Sequence, residues 1–242
     1  ALGMEESLAG GTSGALLLCR GEMLLCKPGG LDDAAGTLEA GLELARKSAS
    51  GFALLGRARL RLGQPEAARA AFEKALDFSP QPYPLSALLL LGQLCLDAAD
   101  DARAKEVFLY ACRQAPSCTS WLGAGVACRR LGEMGQAEEA LAEANVLNNR
   151  HPVVWGQVAM LALQKQRYDE AEQALGQAYK LGLTLSSLLI ELSAALHACG
   201  KWAEAEDAAR KAMLAQEAAG GVQAPAYRAL ADALLEQQRY DE

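Results

Sequence analysis

The stretch SWLGAGVACRRLGEMGQAEEALAEANVLNN, residues 120–149, combines a strong helical pattern with small residues where large apolar ones would give a bigger core. Trp121 opens the first helical segment, and small residues follow at the positions that should face a neighbouring helix. These are Ala124, Gly125, Ala137 and Ala144. Small side chains let two helix backbones approach closely, so the stretch predicts a tight helix crossing.

The same pattern returns along the chain with a period of about 34 residues, which is typical of repeat proteins. In each repeat, one helix carries two small residues that are two turns apart. The first small column is Ala34, Ala68, Ala104, Ala137, Ala171 and Ala205, and the second is Gly41, Ala75, Ala111, Ala144, Ala178 and Ala212. The residue between them is Leu38, Phe72, Phe108, Leu141 or Leu175, with Ala209 as the exception.

The preceding helix of each repeat supplies the partner surface for this crossing. Its small column is Gly56, Gly92, Gly125, Ala159, Ser193 and Ala231, with Glu22 as the outlier in the first repeat. Large residues stand just before it, and we expect them to fill the space beside the crossing. They are Phe52, Leu88, Trp121, Trp155, Leu189 and Tyr227. Because Ala, Leu, Glu, Gln, Lys and Arg fill the segments and β-branched residues are scarce, the predicted fold class is all-α.

Composition excludes several classes of function. The chain has 242 residues, is 51% hydrophobic and 22% charged, and carries a formal net charge of −7, which disfavours binding to nucleic acid. The longest apolar run, residues 85–96, is too short to cross a bilayer, so no membrane segment is expected.

Seven cysteines without a C-x-x-C pair suit a reducing compartment, and we expect a cytoplasmic protein. Residues 1–14 have no signal-peptide pattern and are expected to be a flexible lead-in, and the chain looks like a fragment of something longer.

The pattern W/F-x2-L-G-x2 … A-x3-F-x2-A-x4-P resembles the tetratricopeptide repeat, with Phe52, Gly56, Ala68, Phe72 and Pro80 in the second repeat. The resemblance implies a solenoid of antiparallel helix pairs forming a right-handed superhelix, in which each repeat packs only on its neighbours. The predicted organisation is six repeats over residues 15–219 and a truncated seventh repeat at 224–242. The six repeats are about 15–48, 49–82, 85–118, 118–151, 152–185 and 186–219.

A finer resemblance rests on residues 120–149 together with HPVVWGQVAML, residues 151–161. A Ser-Trp-Leu-Gly run, a helix end of the form EAN-x-LNN and a following Trp are similar to the C-terminal repeat region of the cilia- and flagella-associated protein 70 family. This resemblance implies a non-catalytic scaffold in the axoneme of motile cilia or flagella, associated with the central apparatus or the outer dynein arms and supporting motility. The alternative is a soluble cytoplasmic adaptor for transport or complex assembly. A third possibility is an enzyme or enzyme regulator whose chemistry lies in a missing domain.

The first helices of the repeats should line a concave partner-binding face that is apolar with basic islands. Its candidate partner-binding residues are Arg57, Arg61, Gln93, Val126, Arg129, Arg130, Met160, Leu163 and His197. The Lys and Asn clamp with which chaperone-binding members of the repeat family hold a carboxyl terminus is absent from the matching columns, which argues against a chaperone adaptor. We expect a protein partner that offers an apolar helix or extended segment with acidic residues. The other interpretation is that the arginines only solvate a groove wall.

No residue pattern predicts catalysis, a metal site or a cofactor. His151 and His197 are the two histidines, and neither has ligands at metal-binding spacing. Trp121, Trp155 and Trp202 are expected to pack in the structure rather than bind a ligand. Cys95 and Cys128 occupy a column that holds Leu25, Leu196 and Leu234 in other repeats, so we expect both to be packing residues.

Overall fold

The computed structural model describes residues 13–27, 29–80, 83–221 and 224–236, and these ranges contain helices and turns but no β-strand. The prediction of an all-α fold is thus confirmed over the described residues. The helices of this part are α1 Gly14–Leu25, α2 Leu31–Leu44, α3 Ala49–Arg61, α4 Pro65–Phe78, α5 Leu85–Asp97, α6 Asp101–Gln114, α7 Cys118–Arg130, α8 Met134–Leu147, α9 Pro152–Gln164, α10 Tyr168–Lys180, α11 Ser186–Ala198, α12 Trp202–Ala218 and α13 Ala224–Glu236.

The chain divides into two compact units, Ala1–Pro116 and Ser117–Glu242, called unit 1 and unit 2 below. In unit 1 the helices pack as the pairs α1/α2, α3/α4 and α5/α6. Unit 2 contains the pairs α7/α8, α9/α10 and α11/α12, and α13 packs on both helices of the last pair. Of the predicted lead-in, residues 1–14, the first twelve lie outside the described residues. Its last residue, Gly14, already belongs to α1. The last six residues of the predicted truncated repeat, 237–242, also lie outside them.

Each of these six helix pairs turns at one residue in the left-handed region of backbone conformation. The residues at this point are Gly29, Gly63, Ala99, Gly132, Gln166 and Gly200, with φ of 76°, 72°, 57°, 78°, 58° and 73°. Glycine takes this conformation without steric cost, whereas a residue with a Cβ is strained there. After the turn, the next backbone N–H closes the helix end, as in Gln64 N–H to Arg59 O at 2.9 Å and Asp100 N–H to Cys95 O at 2.8 Å. The same bond recurs in the pairs from α3/α4 to α11/α12 and gives each of their second helices a similar start, whereas in the first pair Gly30 N–H bonds Lys27 O at 3.3 Å instead.

The small columns predicted from the sequence form the seam inside each helix pair. A Cβ added to Gly56 would lie 3.0 Å from the ring of Phe72, and one added to Gly92 would lie 2.7 Å from the ring of Phe108. Both rings are fully buried, and all six alanines of the first small column are buried as well. Each large side chain therefore fills the space that a missing side chain on the opposite helix leaves open, as close packing of an interior requires. In the last pair a hydroxyl replaces this contact, because Ser193 Oγ donates to Ala205 O at 2.8 Å.

The first repeat needs a correction to the predicted register. We expected Glu22 at the small position of its first helix, but Glu22 is exposed and Gly21 is buried instead. A Cβ on Gly21 would lie 2.5 Å from Cγ of Leu38, the same type of contact that Gly56 makes with Phe72. The segment from Gly21 to Ala34 is one residue longer than the corresponding segment from Gly56 to Ala68 in the second repeat. Aligning the repeats by sequence therefore puts Glu22 at the position that Gly21 takes in the structure. Gly21 is therefore the seam residue of this pair.

Ion pairs link two of the second helices to the start of the next second helix, a feature that the sequence analysis did not identify. Arg69 of α4 binds the carboxylate of Asp100 at the N-terminus of α6. Glu138 of α8 binds Lys165 and Arg167 at the corresponding place before α10, with 2.7 Å between Arg167 Nη2 and Glu138 Oε1. The two links use the same repeat positions with the signs of charge exchanged. They connect neighbouring repeats at the surface, where such pairs contribute modestly to stability.

Replacing Gly92 by alanine should destabilise unit 1, because the new methyl group would push into the buried ring of Phe108. We expect the free energy of unfolding to fall by about 1–3 kcal/mol in spite of the better helix propensity of alanine. Urea denaturation followed by far-UV circular dichroism would measure the change. The matched control is Gly36→Ala in α2, where nothing lies within 4 Å of the added Cβ. That variant should gain about 0.5–1 kcal/mol, and a loss of stability in both variants would contradict the seam argument.

The Glu138 link should make the stability of unit 2 depend on acid pH. Hydrogen bonds from Lys165 and then from Arg167 lower the pKa of Glu138 in the folded protein. The link therefore stabilises the fold above the unfolded pKa of about 4.3 and is lost as the pH falls through the lower folded pKa. We expect Glu138→Gln to lower Tm at neutral pH by about 1–3 °C, because the pair is partly screened by solvent.

Thermal unfolding across a pH series would check this prediction, and the Tm difference between the two proteins should shrink toward acid pH. Glu143→Gln on the same helix is the control, since Glu143 is exposed and has no ion-pair partner among the described residues. A Tm difference that stays constant at all pH values would show that the charge of Glu138 does not act through this link.

Candidate functional site

An apolar groove of about 450 Å³ lies in unit 1 across the first helices of three successive pairs, α1, α3 and α5. Its walls include Leu18 of α1, Leu54 of α3 and Leu90 of α5. The sequence positions these side chains because the small seam residues hold the first helices close to their second helices. The faces of α1, α3 and α5 away from the seam then share one surface. Two charged residues, Glu22 and Arg57, line this surface as well.

Arg57 is the predicted site residue that the structure places in this groove. It is exposed, and within the described part of the chain its guanidinium has no hydrogen-bond or ion-pair partner. The neighbouring arginines of α3 are engaged: Arg59 pairs with Glu39 at 2.6 Å, and Arg61 Nη1 donates to Leu25 O at 2.6 Å. An unpaired guanidinium beside apolar walls can bind a carboxylate through two parallel hydrogen bonds.

Arg61 and Gln93, two more predicted site residues, are engaged within the protein. The bond from Arg61 to Leu25 O ties the end of α3 to the end of α1. Gln93 Nε2 donates to Asp97 Oδ1 at 2.8 Å, one turn further along α5. Both side chains are exposed, so a partner can still contact them, but Arg61 must leave its backbone acceptor to bind a carboxylate.

Three apolar residues of the predicted site pack inside unit 2. Val126, Met160 and Leu163 expose only 8%, 5% and 4% of their surfaces. The sequence pattern placed them on the concave face because helix periodicity gives the direction of a side chain. In unit 2 the adjacent first helices α7, α9 and α11 pack against each other and cover them. These three side chains offer little surface to a partner, which corrects the expectation of direct contact.

Arg129 and Arg130 meet in unit 2 around a carboxylate that the sequence analysis did not select. Arg129 Nη2 lies 3.2 Å from Glu191 Oε2, and Arg130 Nη2 lies 3.4 Å from Glu191 Oε1. Arg129 Nε also donates to Gln157 Oε1 at 3.1 Å, and Arg129 is only 5% exposed. Arg129 is thus a buried residue and not the exposed one that we expected. A signal for Glu191 was present, since carboxylates are rare on the otherwise apolar first helices.

His197 lies in a different part of unit 2, in a groove of about 330 Å³ between α11 and α13. Arg228 and Asp232 of α13 line this groove with it. Its Nε2 is buried and has no hydrogen-bond partner among the described residues. The structure therefore does not bring His197 to the arginine pair, and the predicted site of unit 2 divides into two places.

The described residues hold no group of three or more His, Cys, Asp or Glu side chains that could bind a metal ion. Cys95 and Cys128 are buried, as expected for packing residues, and burial raises the pKa of the Cys95 thiol. Trp121 and Trp155 are half-buried, and Trp155 Nε1 donates to Asn149 O at 2.7 Å, whereas Trp202 is 43% exposed. Within the described ranges, no helix combines the length and apolar character needed to span a membrane.

Comparison with solved structures identifies the fold. A tetratricopeptide repeat protein from Parabacteroides merdae superposes with a TM-score of 0.67 at 17% identity, covering 96% of this chain and 88% of that one. A thermophilic tetratricopeptide repeat protein from Thermus thermophilus gives a TM-score of 0.61 at 24% identity, covering 78% of this chain and 100% of that one. At these identities the similarity concerns the fold alone, and it confirms the tetratricopeptide repeat.

Sequence comparison identifies the family. The human cilia- and flagella-associated protein 70 is 39% identical over 131 residues, which cover 54% of this chain and 12% of the human protein. The Macaca fascicularis protein of the same name is 39% identical over 129 residues, 53% of this chain and 13% of that protein. The match therefore spans only a small part of these relatives. The C-terminal domain of cilia and flagella-associated protein 70 matches residues 5–242. The chain belongs to this family, as the resemblance of residues 120–161 predicted.

Proposed function

We propose that this domain is a non-catalytic protein-docking module of a ciliary or flagellar protein. The observation that carries the proposal is Arg57 in the apolar groove of α1, α3 and α5, whose guanidinium has no partner among the residues that the structure describes. The ligand that fits is a protein segment with apolar side chains for the walls and a carboxylate for Arg57. The family supports the cellular setting, since its members are named for cilia and flagella.

The finer assignment is a place in the axoneme of a motile cilium or flagellum, at the central apparatus or the outer dynein arms. There the docked partner is another structural protein, and the module supports motility by holding it. The net charge of −7 favours a protein partner over a nucleic acid. The repeat organisation supports the scaffold role, because a series of similar helix pairs presents many surface positions at which a partner can be held.

Fractionation of a ciliated or flagellated source tests the cellular assignment. Axonemes stripped with detergent and then extracted with salt are probed with an antibody to this domain. We expect retention after detergent, because an axonemal scaffold binds the microtubule structure and not the membrane or the soluble matrix. Recovery in the detergent-soluble fraction would overturn the axonemal proposal in favour of a soluble cytoplasmic adaptor.

Replacing Arg57 by glutamate should weaken the binding of an acidic apolar segment. The probe is a fluorescein-labelled peptide of about twelve residues made of Leu, Ala and Glu, with a matched peptide that has Gln in place of Glu. We expect the Kd for the acidic peptide to rise about tenfold, since a charge-assisted pair is lost and replaced by repulsion. Fluorescence anisotropy measures the Kd, and circular dichroism checks that helicity is unchanged.

The control variant is Arg20→Glu, which makes the same change of charge on the exposed surface of α1 outside the groove. It should bind the acidic peptide like the unmodified protein. Equal binding by the Arg57 variant and the unmodified protein would remove the groove of unit 1 as the docking site.

A further inference from the structure

The arginine pair of unit 2 forms an acid-binding position whose guanidinium groups are already oriented. Gln157 of α9 accepts from Arg129 Nε at 3.1 Å, while Arg129 Nη2 is directed toward α11. Arg130 follows on the same helix end and is partly exposed. Two Nη2 groups therefore converge on one point at the surface of α11, where a single carboxylate can take one hydrogen bond from each.

Glu191 fills this position, but its contacts are loose. Its two oxygens lie 3.2 and 3.4 Å from the nitrogens of Arg129 and Arg130, whereas charge-assisted N–H···O bonds usually measure about 2.7–2.9 Å. The pair between Arg167 and Glu138 in the same unit has that shorter length, 2.7 Å. The Glu191 side chain is 39% exposed, so water can hydrate its carboxylate if it turns away from the arginines. It holds its place less firmly than a carboxylate at the shorter distance would.

Arg129 cannot leave in the same way. Its side chain is only 4% exposed, and it stays among α7, α9 and α11 when Glu191 moves. Removing one carboxylate acceptor from a buried guanidinium is costly, so a second carboxylate that takes the same place favours the departure of Glu191. The position is therefore suited to exchanging one carboxylate for another.

We propose that Glu191 is an internal occupant of a second docking position, which a Glu or Asp side chain of the bound protein displaces. The proposal deepens the proposed function and rests on it in one respect, namely that the docked segment is acidic. The consequence is regulatory: unit 1 offers an open guanidinium at Arg57, while unit 2 binds only a segment that competes with its own carboxylate. Unit 2 therefore admits a partner only when that partner carries enough negative charge to displace Glu191.

The experiment measures binding of a fluorescein-labelled peptide of about twelve residues rich in Glu, with the Gln peptide as its neutral counterpart. All proteins carry Arg57→Glu, so that the groove of unit 1 does not contribute to the signal. In this background, Glu191→Gln should lower the Kd for the acidic peptide about threefold, the size expected for removing a partly exposed competing charge. The Kd for the neutral peptide should not change.

Three further variants separate displacement from other effects. Glu143→Gln removes an equal charge from an exposed site of unit 2 and should leave the Kd unchanged. Glu191→Asp keeps the charge but draws the carboxylate back, and it should also lower the Kd. Adding Arg130→Gln to Glu191→Gln should abolish the gain, because one of the two donors is lost.

The opposite results overturn the proposal. If Glu191 only braces the three helices, Glu191→Gln will lower Tm and leave the Kd for the acidic peptide unchanged. An equal gain in the Glu143 variant would attribute the effect to net charge. These outcomes differ from failure of the proposed function, which is read separately from the comparison of Arg57→Glu with the unmodified protein.

Discussion

The fold depends on one contact, a large side chain of the second helix set against a missing or small side chain of the first. Gly92 and Phe108 show this contact clearly, with a ring 2.7 Å from where a Cβ would stand. The contact fixes the distance between the two helices and leaves little freedom to slide, since the ring has only one gap to enter. The first repeat shows that this contact, and not the spacing in the sequence, sets how the two helices are aligned. Its connection is one residue longer, yet Gly21 still contacts Leu38.

Two secondary features keep successive pairs alike. The left-handed residue at the turn recurs at one position even where the sequence offers Ala99 or Gln166 in place of glycine, so packing outweighs the local strain. The ion pairs of Arg69 with Asp100 and of Glu138 with Arg167 then join neighbouring second helices at the surface. The signs of charge are exchanged between the two links, so this position accommodates a pair of opposite charges in either arrangement.

The two units use similar helix faces in different ways. In unit 1 the first helices leave an apolar groove in which Arg57 has no partner among the described residues. In unit 2 the corresponding helices close on their own side chains, so that Val126, Met160 and Leu163 are buried and the arginines bind Glu191. Repeats built on one seam can therefore differ in what they offer to a partner. The difference comes from residues outside the seam, which packing leaves free to vary.

The sequence alone determined the helical fold, the family and the seam of every repeat after the first. Its small columns recur because steric constraints at a close crossing allow few residues, and the helix end at residues 145–149 distinguished the family from other repeats. It also placed Arg57 on the surface that the structure leaves open. Only the tertiary structure decided which candidates are exposed, because helix periodicity gives the direction of a side chain but not the distance to the next helix. Arg129 is the clearest case: its burial and its contact with Glu191 depend on three helices packing together, and those two residues are far apart in the chain.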